Sequence, residues 1–131
     1  MKATLLLVAS FALGACSFAA RSPEMYRDDT AKALSAKNGE IQACYDGVLK
    51  ANPGAAGTVT VKFDVETESG KISHVTVDKA KTTAPDPVAD CVMRSIDGLT
   101  LTPPDQRKGE GTWAYEFQAP PPPAAATPEK T

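Results

Sequence analysis

The chain of 131 residues is poor in the residue types from which most active sites are built, with one His, three Cys and an aromatic content of 6%. A single imidazole and three thiols, with no CxxC pair and no zinc-ribbon spacing, cannot form an all-protein His/Cys metal cage of standard type. The sequence has no recognisable Ser/His/Asp set, no carboxylate pair in a known motif and no phosphate-cradling glycine loop. It is therefore read as non-enzymatic, with no cofactor and no metal. An excess of one charge is also missing: 14 Lys+Arg stand against 16 Asp+Glu, interspersed. Without a basic stripe, DNA and RNA are not expected partners. No apolar run approaches the roughly 20 residues of a permanent transmembrane helix, and the length allows one domain.

What is present begins with an address. Lys2 precedes an apolar run from Ala3 to Leu13, followed by Gly14, Ala15 and Cys16, the layout of a secretory signal. Leu13-Gly14-Ala15-Cys16 resembles a bacterial lipobox, which implies cleavage before Cys16 and acylation on it. Three acyl chains, at about 0.8 kcal/mol per buried methylene, would make the attachment to membrane lipid effectively permanent. Ser17 follows, rather than the Asp of an inner-membrane retention signal, so the expected location is the outer membrane, facing the periplasm.

Composition divides the chain into a signal peptide over residues 1–15, a tether over 16–28, a folded domain over 29–118 and a tail over 119–131. The tail carries Pro120 to Pro123 and Ala124 to Ala126 and reads as a solvated, polyproline-like segment. In the mature chain Cys44 and Cys91 remain beside Cys16. An even pair in an oxidising compartment reads as a disulfide. The alternatives are a redox-active pair, or zinc ligation with His74, whose spacing matches neither a CxxC nor a zinc ribbon.

Leu34, Ile41, Cys44, Tyr45, Val48 and Leu49 recur at helical spacing, predicting an amphipathic helix that starts near Asp29 or Thr30, ends before Pro53 and has a weak point at Asn38-Gly39. From Thr58 the period becomes two, with Val59, Val61, Phe63 and Val65 on one face. Glu66 to Gly70 supplies a turn, and Lys71 to Asp78 a second strand. There Ile72 is out of phase with Val75 and Val77, which predicts a bulge near Ser73 or His74. His74, with no carboxylate or nucleophile at motif spacing, reads as a rim residue. Asp86-Pro87 opens a second helix through Val88, Cys91, Val92, Ile96 and Leu99, ended by Gly98. After a turn from Asp105 to Gly111, Trp113, Tyr115 and Phe117 alternate with Thr112, Ala114 and Glu116 as a third strand.

The order helix, strand, strand, helix, strand, joined by a right-handed return, predicts an α+β fold: αββαβ, with a three-stranded antiparallel sheet of order 2-1-3 and two helices on one face. Cys44 and Cys91 could meet on that face.

Ile41-Gln42-Ala43-Cys44-Tyr45, Asn52-Pro53, Gly57 with Val59-Thr60-Val61-Lys62-Phe63, Gly70-Lys71-Ile72 and Asp90-Cys91-Val92 resemble the AgmX/PglI C-terminal domain over about residues 36–118. That family is similar in arrangement to the C-terminal domain of TonB. The resemblance implies a periplasmic module whose relatives bind partners rather than catalyse. The chain departs from TonB-type transducers in having only a cleavable signal with a lipid site, not an inner-membrane helix.

The leading expectation is a binding module that receives an extended peptide from another envelope protein along an exposed sheet edge. In order 2-1-3 the third strand is an edge, which nominates Thr112, Trp113, Ala114, Tyr115, Glu116 and Phe117, with Trp113 or Tyr115 supplying side-chain pockets. A competing expectation is that the aromatic row faces the helices, which leaves backbone pairing available. The alternatives are a passive component of an envelope, gliding or secretion assembly with peptidoglycan as a partner, and a thiol–disulfide redox protein using Cys44 and Cys91.

Overall fold

A computed structural model describes residues 21–121. The expected signal peptide, the lipidation site Cys16 and most of the Pro/Ala tail lie outside these residues. The elements run α1 (Pro23–Ser35), α2 (Asn38–Ala51), β1 (Gly57–Val65), β2 (Ile72–Val77), α3 (Asp86–Ile96) and β3 (Gly109–Phe117). No helix among the described residues is long and apolar enough to cross a membrane.

The strands form one sheet of order β2-β1-β3, antiparallel at both junctions. The α+β class and strand order match the expectation. The period-two pattern of β1 sets the register. Val59, Val61, Phe63 and Val65 are all at most 3% exposed, and the alternate residues turn to the other face. Burying each such side chain stabilises the fold by roughly 1.5–3 kcal/mol. In the β1–β2 ladder Lys62 pairs with Thr76 and Asp64 with Ser73, so Phe63 stands against both His74 and Val75. His74 takes φ 50, in the left-handed region, and absorbs this extra residue. The bulge brings Ile72, which pairs with Val65, onto the same face as Val77, which pairs with Val61.

α3 is the most strongly amphipathic helix. Val88, Ala89, Cys91, Val92 and Ile96 are buried against the sheet, and Gly98, at φ 78, turns the chain out of the helix. Its first helical residue is Asp86, with Pro85 as the cap, one position earlier than expected. α2 packs beside α3, where Cys44 and Cys91 are joined with their α-carbons 5.7 Å apart. That distance lies within the range a disulfide requires. Tyr45, on the same helix, packs its ring against Phe117 at 4.8 Å between centroids and donates its hydroxyl to the Ala55 carbonyl.

Three expectations are corrected. The tether assigned to residues 16–28 is helical from Pro23. Ser22 caps α1 by accepting from the Met25 N–H, Pro23 occupies the first helical turn, and Glu24 follows. Instead of one helix ending before Pro53 there are two, separated at Ala36-Lys37 just ahead of the Asn38-Gly39 weak point. α1 was hidden because its buried stripe is only one residue wide: Tyr26 is partly buried, Thr30 is 6% exposed and Leu34 is 1% exposed. The third strand begins at Gly109, not Thr112.

Candidate functional site

β3 is hydrogen-bonded to β1 on one side only, because the sheet ends there. The orientation of its backbone follows from β1. The carbonyls of Thr58 and Thr60 accept from Thr83 and Asp78, and their N–H groups donate to the Thr83 and Thr82 hydroxyls, so both residues face away from β3. The odd residues of β1 therefore bond to β3, and their partners are Gly109, Gly111, Trp113, Tyr115 and Phe117. The N–H and C=O groups of Glu110, Thr112, Ala114 and Glu116 point outward, and among the described residues no backbone group pairs with them.

The side chains divide in the same way. Trp113 stands opposite Val61, Tyr115 opposite Val59 and Phe117 opposite Gly57, so the rings lie on the helix-covered face, each half-buried. This agrees with the expectation that the aromatic row faces the helices. Trp113 and Tyr115 build an apolar shoulder beside the edge, and Trp113 also lines a cleft beside α1. Thr112, Ala114 and Glu116 are exposed on the open face. Burial pushes the Tyr115 phenol up to about 12, and its hydroxyl has no partner among the described residues.

Sequence reasoning missed a cleft of about 500 Å³ between α1 and the start of β3. Its apolar side is formed by Phe63, Val65 and Trp113, and Arg21, Arg27, Arg107 and Lys108 also line it. On this face β3 carries glycine at two positions, where the Tyr26 and Phe63 rings pack directly against its backbone. A Cβ on Gly109 would lie inside the Tyr26 ring contact at 2.7 Å or less, and one on Gly111 would lie 2.5 Å from the Phe63 ring.

Arg21 anchors the deep end, with 2% exposure. Its backbone N–H donates to Asp105 Oδ2 at 2.8 Å, its Nε donates to Asp29 Oδ2 at 2.6 Å, and its carbonyl accepts from Arg107 Nη2. Among the described residues neither buried Nη atom has a hydrogen-bond partner, nor does the buried hydroxyl of Tyr26, whose ring centroid lies 5.9 Å from the Arg21 Cζ. Asp105 is held below the usual carboxylate range by the Arg21 backbone N–H and then by that of Arg107. The Tyr26 phenol is raised, first by burial and then by the charge of Asp105.

His74 lies on the open face with its side chain 79% exposed and Nδ1 3.2 Å from Asp64 Oδ2. Lys108 Nζ reaches the same oxygen at 3.0 Å, and this hydrogen bond is the main cause of the lowered Asp64 pKa. His74 is far from the Cys44–Cys91 pair in this topology, since that pair joins two helices on the opposite face. Among the described residues no cluster of His, Cys, Asp and Glu could hold a metal ion.

Comparison with protein-family models, with curated proteins and with solved structures finds no match to this chain.

Proposed function

We propose that this chain is a non-enzymatic envelope lipoprotein, anchored through acylated Cys16, whose folded domain is a TonB C-terminal-like module of the AgmX/PglI type. It binds another envelope protein by adding a strand of that partner to β3. The observation that carries the reading is the unpaired outer side of β3, where Glu110, Thr112, Ala114 and Glu116 present N–H and C=O groups outward. Such an edge is a template for an extended peptide. The Cys44–Cys91 link fixes α2 on α3 behind the sheet and so keeps the edge rigid. The lipobox-like segment and the balanced surface charge support residence at a membrane surface and recognition of a peptide rather than of nucleic acid.

The test is a proline at an outward position. Ala114→Pro removes an N–H that faces away from β1 and spares the β1–β3 ladder. Circular dichroism should show a folded protein, and capture of the partner from solubilised envelopes should be lost. Undiminished capture by folded Ala114→Pro would rule out strand addition and favour the passive structural role.

A further inference from the structure

We propose that the cleft between α1 and β3 captures the C-terminal carboxylate of the strand that β3 receives, an inference that rests on the strand-addition reading. β3 runs from Gly109 to Phe117 in a sheet that is antiparallel throughout. A partner strand continuing that pattern starts beside Phe117 and finishes beside Gly109, where the cleft lies. Its chain end thus arrives at the cationic end of the site.

The chemistry there suits a carboxylate. Asp29 occupies the Arg21 Nε and Asp105 occupies the Arg21 backbone N–H, but Nη1 and Nη2 are left unsatisfied on a side chain that is 1% exposed. The nearest acid to Nη1 is Asp105 at 3.9 Å, beyond hydrogen-bonding distance. Asp29 and Asp105 already neighbour the charge, but the two free Nη groups match the two oxygens of a further carboxylate, and the Tyr26 hydroxyl is a further unused donor. Arg107 adds positive charge at the mouth, although it also meets Asp105, whereas Lys108 turns its ammonium to Asp64 on the open face. Glu110 also borders the cleft, although strand alternation turns its side chain toward the open face. Phe63 and Trp113, on the apolar side of the cleft, offer a surface for an apolar side chain of the partner's final residue.

The experiment uses the isotopically labelled full chain and a short peptide of alternating valine and threonine, with either a free or an amidated C-terminus. Amide shifts at Glu110, Thr112, Ala114 and Glu116 report strand addition, and the Arg21 Nε–H signal reports the cleft. The free acid is expected to move both sets and to bind about tenfold more tightly than the amide. Arg21→Gln would take away the guanidinium that bonds Asp29 in the fold, so Tyr26→Phe is the variant of choice: it deletes a hydroxyl unused in the fold. It should leave the melting temperature unchanged and reduce the acid-over-amide preference about threefold or more. Equal binding of both peptides with the edge amides moving overturns carboxylate capture and leaves strand addition standing. A preference unchanged in Tyr26→Phe places the carboxylate elsewhere and overturns the site. Failure of both peptides to move the edge amides overturns strand addition and this inference together.

Discussion

Gly111 stands directly opposite Phe63 in the β1–β3 ladder, and the ring occupies the space a side chain on Gly111 would need. The packing of the Phe63 ring against the strand therefore depends on a missing methyl group.

Gly111→Ala should be destabilising by roughly 1–2 kcal/mol, because the added carbon overpacks against a ring that is itself 3% exposed. Gly39→Ala is the control: it lies in α2 with nothing within 4 Å of the added carbon, and should stabilise by about 0.5–1 kcal/mol. Urea denaturation of the two variants distinguishes these signs. A stabilised Gly111→Ala would mean that the Phe63 ring yields freely.

The Cys44–Cys91 bridge closes a loop with a sequence separation of 47. In the chain-entropy model this is worth about 4 kcal/mol, a large share of the stability of a small domain. Reduction, or the pair Cys44→Ala and Cys91→Ala, should lower the melting temperature by more than about 15 °C. An unchanged melting curve under reductant would remove the bridge from the list of what holds α2 in place.

Much of this architecture was legible in the sequence because it is written in local periods. Val59 to Val65 alternate strictly, the phase slip between Ile72 and Val75 marked the bulge, and Val88 to Ile96 trace one helical stripe. From these the strand order and the meeting of Cys44 with Cys91 followed. α1 was harder to see, since Tyr26, Thr30 and Leu34 make a stripe with only two fully buried members. The Ser22-Pro23 signal for its start was read as a linker. The cleft was not legible at all, because its deep end is built by Arg21 meeting Asp105 across 84 residues. Local pattern carries no record of such pairings.

Acid should loosen this anchor in a defined direction. The Arg21 and Arg107 backbone N–H groups hold the Asp105 pKa below its ordinary value, and thus below that of the unfolded chain, near 3.9. The stabilisation is fully present above that unfolded value and is lost as pH falls through the depressed folded value. Denaturation midpoints should therefore drop from about pH 6 to about pH 3, and Asp105→Asn should show a shallower drop. Asp64 and Asp78, lowered mainly by their hydrogen bonds to Lys108 and Lys62, contribute in the same direction, so some slope will remain in the variant. An identical slope in both proteins would show that Asp105 is not a source of the acid sensitivity.

Amide hydrogen exchange, read residue by residue along β3 in the free protein and again with the proposed strand-donating partner bound, examines strand addition at the atoms that would carry it. In the free protein the amides of Gly111, Trp113 and Tyr115, bonded to β1, should exchange slowly, and those of Thr112, Ala114 and Glu116 quickly. On binding, the fast set should become protected. If those outward amides still exchange at their free rate while the partner is bound, the partner sits elsewhere and β3 is not its receiving edge.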